Sequence, residues 1–200
     1  MVAIDPSAAF RRALREHLPA AAVSVDAFHL VKLANDMVTA VRQRVIREQK
    51  GRRGRGIDPA WTNRRLLLRA GNTLSPRALA RLKATLRADD PTDEIGAAWG
   101  VKEQLRTLLT SGSLAHAHEQ RMLLGLLVLT ANMPETDRLW ATITAWWDAI
   151  EVLIATGVTN ARTEAANTSI KQIKRTGRGY RNAANYRARI LLASAARTAA

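Results

Sequence analysis

Residues 2–26 read VAIDPSAAFRRALREHLPAAAVSVD, and this stretch decides the fold that the sequence predicts. Two short apolar segments, Val2–Ile4 and residues 20–25, are the strand candidates, and each is followed by an aspartate. The intervening residues 7–18 are predicted to form a helix. Their apolar side chains recur every four positions, at Phe10, Leu14 and Leu18. A strand–helix–strand unit favours two strands that are parallel and buried.

The rest of the chain is predicted to be helical, with Gly, Pro, Asn and Asp residues at most of the breaks. A long helix over about 28–49 carries an apolar stripe at Leu30, Leu33, Met37, Val41 and Val45. Further helices are predicted near residues 60–70, 75–88, 93–110, 112–132, 134–156, 160–176 and 182–198. The predicted fold class is mainly α with a small α/β remnant. A helical bundle in which one crossover replaces a strand hairpin is the alternative.

Charge and composition limit the partners of the chain. Its 200 residues carry a formal net charge of +14 and no cysteine. The positive charge indicates a polyanionic partner, most often nucleic acid and sometimes an anionic membrane surface. The lack of cysteine excludes disulfides and thiolate zinc sites. The start of the chain lacks a signal-peptide pattern, and the apolar run at 122–129 is shorter than the roughly 20 residues of a bilayer span. We therefore expect a soluble, cytoplasmic protein.

Two aspartates follow the two predicted strands. Asp5 closes the first strand and Asp26 closes the second, and sites in open α/β sheets lie at the carboxyl ends of strands. Carboxylates in that place can hold Mg²⁺, which prefers oxygen ligands. His29, three residues after Asp26, could orient a carboxylate through a hydrogen bond. The alternative is that both aspartates are helix N-caps, since each precedes a predicted helix.

One acid heads a strongly basic segment, RTEAANTSIKQIKRTGRGYRN, at 162–182. On a helix, Glu164 shares a polar face with Asn167, Thr168, Lys171, Arg175 and Arg178, with Lys174 and Arg181 nearby and Ala166, Ile170 and Ile173 opposite. Cations at this density neutralise phosphates and release counterions. The alternative is a solvated face on which Glu164 pairs with Lys171, although exposed ion pairs contribute only about 0–1 kcal/mol.

A second basic segment, KGRRGRG at 50–56, is predicted to be a loop without apolar periodicity. Arg52, Arg53 and Arg55 are candidate phosphate contacts, because glycines allow close backbone approach. The segment is not a Walker loop, since no GK[ST] follows it. A disordered basic tip is the alternative.

Four separated blocks of the chain resemble transposases of the ISL3 type. The blocks are VSVDAFHLVKLANDMVTAVRQRV at 23–45, KGRRGRGIDPAWTNRRLLL at 50–68, AAWGVKEQLRTLL at 97–109 and RTEAANTSIKQIKRTGRGYRNAANYRARILL at 162–192. The resemblance implies a ribonuclease-H-like core with a DDE carboxylate triad. It makes Glu164 the closing glutamate and Asp5 the second aspartate, while Asp26 and His29 form the D-x-x-H signature. Assigning Asp26 as the second carboxylate is the alternative.

The resemblance also implies an organisation and a chemistry. Residues 1–50 would be a partial ribonuclease-H-like core with two strands, 51–158 an all-helical insertion, and 159–200 the core helices with the glutamate. Mg²⁺ or Mn²⁺, held by Asp5 and Glu164, would serve DNA cleavage and strand transfer. DNA is the implied partner, with homo-oligomers possible and no small-molecule substrate.

The first catalytic aspartate of the family has no counterpart among these residues. We therefore expect a truncated transposase that binds metal weakly and has little or no strand-transfer activity alone. The alternative function is a non-catalytic DNA-binding or regulatory remnant of a transposase. A basic helical protein that binds RNA or ribosomes would explain the charge, but it would not explain the strand-end acids.

Overall fold

The computed structural model describes residues 1–198 and divides into two compact units, Met1–Val158 and Thr159–Ala200. The side chains of Arg162, Arg197 and Thr198 lie outside this description. The larger unit contains the sheet and most of the helices, and the smaller unit contains the basic helices. Each unit is described by itself.

A two-stranded parallel sheet begins the larger unit, as the sequence predicts. Strand β1 (Val2–Ile4) pairs with β2 (Val23–Val25), and helix α1 (Ala8–His17) connects them. The register places Ile4 opposite Val25, and the amide of Asp26 continues the ladder by donating to the carbonyl of Ile4 at 2.9 Å. The expectation of burial holds only for β2, because β1 is half-buried along its length.

The attachment of α1 differs from the prediction. No residue of α1 is buried, and both Phe10 and Leu18 are more than half exposed, so the four-residue apolar spacing does not mark a core face. Arg11 makes the contact instead. Its guanidinium donates to both carboxylate oxygens of Asp148 at 2.7 Å and lies 4.8 Å from the ring centroid of Trp146. A charged side chain therefore joins this helix to the bundle.

The core of the larger unit is built around α2. The helices are α2 (Ala27–Lys50), α3 (Pro59–Thr62), α4 (Arg64–Leu68), α5 (Pro76–Asp89), α6 (Glu94–Leu109), α7 (Leu114–Ala131), α8 (Pro134–Ala145) and α9 (Trp147–Thr156). Helix α2 packs on α6 and α8, and β2 packs on α9. The predicted apolar stripe of α2 is buried at Leu30, Met37, Val41 and Val45, whereas Leu33 is partly exposed.

Two predicted helices are each divided in the structure. Residues 60–70 form α3 and α4, with Asn63 between them. Residues 134–156 form α8 and α9, with a break at Trp146, whose ring is buried. The apolar periodicity continues through the second break, from Leu139 and Ile143 to Ile150 and Ile154, which explains why the sequence predicts a single helix there.

A lysine lies in the middle of the core. Lys102 of α6 has no exposed surface, and its Nζ donates to the carbonyls of Leu67 (2.6 Å) and Arg69 (2.7 Å). Its Nζ also lies 2.6 Å from Glu103 Oε1. Burial lowers the pKa of Lys102. Because α4 ends at Leu68, this side chain satisfies carbonyls that the helix terminus leaves without partners.

The smaller unit is a pair of helices, α10 (Ala161–Thr176) and α11 (Ala183–Thr198). Helix α10 ends in a Schellman motif, in which the amide of Gly179 donates to the carbonyl of Lys174 and that of Arg178 to Arg175. Arg178 takes the left-handed position with φ 53°, where glycine is usual. The rings of Tyr180 and Tyr186 stack 4.9 Å apart beside this turn. None of the described helices, in either unit, could span a bilayer.

Candidate functional site

The two strand-end aspartates are neighbours because of the register. Ile4 pairs with Val25, so Asp5 and Asp26 leave adjacent strands at the same edge of the sheet. Asp26 is 5% exposed and is the N-cap of α2, with Oδ2 accepting from the amide of His29 at 3.3 Å. The N-cap alternative is therefore correct for Asp26. It is wrong for Asp5, because Ser7 caps α1.

His29 joins the two carboxylates. Its Nδ1 lies 2.8 Å from Asp26 Oδ2 and 3.3 Å from Asp5 Oδ1. An N–H at Nδ1 can donate to either oxygen, which fixes the imidazole and holds the carboxylates at one place. The side chain of His29 is 28% exposed and that of Asp5 is 43% exposed, so the cluster opens to solvent on the Asp5 side.

The cluster has the donor chemistry of a divalent cation site. One ligand atom each from Asp5, Asp26 and His29 lie within 4.8 Å of one another. Two carboxylates at this separation repel, and a cation with hard oxygen preference relieves that repulsion. The residues present therefore fit Mg²⁺ or Mn²⁺, with Asp5 as the more accessible ligand.

The loop after α2 is ordered around a buried acid, contrary to a disordered tip. Asp58, 4% exposed, accepts from Lys50 Nζ at 3.1 Å, from the amide of Arg55 at 2.6 Å and from the guanidinium of Arg52. Lys50 also contacts Asp89 at 2.6 Å. Arg52 therefore forms an ion pair with Asp58, whereas the side chains of Arg53 and Arg55 are exposed. Arg53 and Arg55 are therefore the more exposed of the three candidate phosphate contacts.

Replacing Asp58 by Asn should make the stability of the protein less dependent on pH. The hydrogen bond from Arg52 is the main cause that holds the pKa of Asp58 well below its usual 3.8. A lowered pKa contributes stability that is present above pH 3.8 and is lost as pH falls below it. We expect Asp58→Asn to melt below wild type at neutral pH, with the difference shrinking in acid. Thermal melts across this range measure it.

The matched control is Asp36→Asn, which removes an exposed carboxylate paired with Lys32 at 2.6 Å. This control should melt like wild type at each pH. A difference for Asp58→Asn that stays constant down to about pH 2 would contradict the assigned pKa direction.

In the smaller unit, Glu164 lies in the first turn of α10 and is exposed. The predicted DNA contacts of this unit are all exposed: Asn167, Lys171, Lys174, Arg175, Arg178 and Arg181. Arg178 does not continue the helical face, because α10 ends at Thr176 and Arg178 belongs to the following turn. Ile170 and Ile173 are half-buried, and Ala166 is exposed, so the aliphatic face is only partly covered within this unit.

A comparison with protein families identifies the chain. A family model described as transposase, of the DDE class and the ISL3 group, matches residues 1–190. The chain belongs to the ISL3 transposase family. Comparisons with curated proteins and with solved structures give no match. The match confirms the resemblance seen in the four sequence blocks, and it supports DNA as the partner of this transposase and a divalent metal as its cofactor.

Sequence reasoning missed several residues that shape this transposase. Asp58 lies in the loop after α2 and Asp89 lies at the end of α5, and neither position carries a special sequence signal. Only their burial shows that they hold the loop after α2 in place. Arg11 and Lys102 contact residues far along the chain. One signal was available: a Lys within the apolar run of a helix, as at 102, is unusual unless it has buried partners. His116 and His118 have exposed side chains.

Proposed function

We propose that the protein is a DDE transposase that cleaves and transfers DNA strands with a divalent metal. The cluster of Asp5, Asp26 and His29 at the strand ends carries this proposal, because it combines acidic ligands with a residue that orients them. Asp5 and Glu164 would hold Mg²⁺ or Mn²⁺, and Asp26 with His29 would fix the position of Asp5. A bound metal would supply activation of a hydroxyl nucleophile and stabilisation of the leaving oxygen of a phosphodiester.

The proposed organisation follows from that assignment. Residues 1–50 and 159–200 form parts of a ribonuclease-H-like core, and residues 51–158 are the insertion between them. Two observations support it: the acids follow parallel strands, and Glu164 is an exposed acid at the start of a helix. Glu164 is also the one acid in residues 159–200, so it is the carboxylate of this segment that can serve a metal.

The exposed cations of the smaller unit place DNA. Lys171, Arg175 and Arg181 are exposed and contact phosphates, which positions the duplex without reading its sequence. We expect Lys171→Gln to lower the slope of log affinity against log salt by about one. Fluorescence anisotropy with labelled duplex DNA measures the slope. Lys83→Gln, an exposed lysine of α5 in the larger unit, is the control and should leave the slope unchanged.

Excision of a marked copy of the DNA element that encodes the chain tests the activity itself. We expect excised product only at a low level in cells that produce the protein, in line with the little strand-transfer activity expected of this chain alone, and none in cells that do not. The second candidate function is a non-catalytic DNA-binding regulator, which the exposed basic residues of α10 alone would support. DNA binding without excision would favour that second function.

A further inference from the structure

Arg42 of α2 is a buried cation that has no anionic partner within the described part of the chain. It is 3% exposed, and its Nη1 has no hydrogen-bond partner among the residues that the structure describes. The guanidinium lies beside the ring of Trp61, with Cζ 5.6 Å from the ring centroid. An arginine stays protonated in proteins, so the charge remains in this buried place.

Arg44, on the same helix, has the acidic partners that Arg42 lacks. Arg44 donates to Glu135 at 2.8 Å and lies 3.0 Å from Glu94, and these acids raise its pKa. Burial lowers the pKa of Arg42, and the positive charge of Arg64 lowers it further. A buried charge without a partner is costly, and a second cation beside it increases the cost.

A second guanidinium and the loop after α2 lie beside the same indole as Arg42. Arg64 lies over the same indole, with Cζ 4.3 Å from the Trp61 centroid, and is half-buried. The loop after α2 packs against this tryptophan, because a Cβ at Gly54 would lie 3.1 Å from Trp61 Cβ and 3.6 Å from Cε3 of its ring. Gly54 separates the exposed residues Arg53 and Arg55. The Trp61 indole therefore has two guanidiniums beside it, those of Arg42 and Arg64, and two exposed arginines lie in the adjoining loop.

We infer that Arg42, Arg64 and Trp61 form a binding site for a DNA backbone phosphate in the larger unit, between α2 and the α3–α4 segment. The phosphate supplies the counter-charge that Arg42 lacks, and Arg guanidiniums match phosphate oxygens in geometry. Arg53 and Arg55 attract the DNA phosphates electrostatically at the surface, and salt weakens this attraction. The identity of the ligand as DNA rests on the proposed function, whereas the phosphate site itself does not.

Arg42→Met tests the site because methionine has a similar shape and no charge. Wild type should melt about 2–4 °C higher in inorganic phosphate than in chloride at equal ionic strength. Arg42→Met should lose this shift and should melt no lower than wild type in chloride, because the unpaired charge is gone. Arg87→Met, which removes an exposed arginine of α5, is the control and should keep the shift.

A wild-type protein without a phosphate shift, or an Arg42→Met variant that retains it, would overturn the site. If Arg42→Met does not fold, Arg64→Met replaces it and should lose the same shift, since both guanidiniums serve one phosphate. Retention of the shift in Arg64→Met would also overturn the inference.

Binding of duplex DNA distinguishes the phosphate site itself from its proposed role in DNA binding. Arg42→Met should bind DNA about five- to tenfold more weakly than wild type near 0.1 M salt, with a salt slope lower by about one. DNA affinity equal in the variant, wild type and Arg87→Met would reject the DNA role of the site while leaving the transposase proposal intact. Absence of DNA binding by all three would reject the proposed function, and the phosphate melts would then report on the site alone.

Discussion

Replacing Asp5 by Asn is expected to weaken Mn²⁺ binding at least about 100-fold, since even outer partners of metal ligands contribute 10–100-fold to affinity. Asp5 is the half-exposed carboxylate of the cluster, and it lies 3.3 Å from His29 Nδ1. Asparagine keeps the shape and removes the charge that a cation requires. Titration of Mn²⁺ followed by electron paramagnetic resonance measures the affinity, and excision in cells should be lost in parallel.

The control for this experiment is Asp137→Asn, which removes an exposed carboxylate in the first turn of α8. It should bind Mn²⁺ as wild type does. Equal affinity in Asp5→Asn and Asp137→Asn would show that the strand-end cluster is not the metal site.

Glu164→Gln tests the remaining ligand separately. If Glu164 holds the same ion, this variant should lose at least about tenfold in Mn²⁺ affinity and should keep its affinity for DNA. If Asp5→Asn loses metal and Glu164→Gln does not, then Glu164 is an ordinary exposed acid. That outcome would remove the glutamate from the proposed triad while retaining Asp5.

Replacing Lys102 by Met is expected to lower the free energy of unfolding by about 3 kcal/mol, as breaking one side of a buried charged pair does. The carbonyls of Leu67 and Arg69 would lose their donor at 2.6 and 2.7 Å. Glu103 would retain its contacts with Gly71 and Arg106. The cost therefore arises mainly at the C-terminus of α4, whose carbonyls would be buried without partners.

Melting temperature and urea unfolding measure this change, and a decrease of about 6–12 °C corresponds to it in a protein of this size. Lys83→Met, which changes an exposed lysine of α5, is the control and should stay within about 0.5 kcal/mol of wild type. A Lys102→Met variant as stable as wild type would show that hydrophobic packing replaces the hydrogen bonds, as happens in some buried ion pairs.

The sequence predicts the strand–helix–strand unit because its signals are local. Apolar runs, an intervening helix and a following aspartate lie within residues 2–26. The neighbouring positions of Asp5 and Asp26 follow directly, since parallel strands end at the same edge. The contact between His29 and Asp26 is also local, because the third residue of a helix lies next to the side chain of its N-cap.

Other features depend on contacts that local patterns do not encode. The apolar spacing of α1 resembles a core face, yet Arg11 anchors this helix through Asp148, 137 residues away. The basic loop looks disordered until Asp58 is seen to be buried among its cations. Trp146 is as apolar as its neighbours, so periodicity does not predict the break between α8 and α9.

The shallow attachment of β1 and α1 has a consequence for the occupancy of the cluster. No side chain of residues 1–17 is itself fully buried, so we expect this segment to open at a free energy below that of global unfolding. Asp5 leaves the cluster in the open form, whereas Asp26 and His29 stay on the buried end of α2. A cation that requires Asp5 selects the closed form, and its apparent affinity is reduced by the fraction of molecules that are open. Amide hydrogens of β1 would then exchange more slowly when the ion is bound, which makes ordering of the first strand a part of metal recognition.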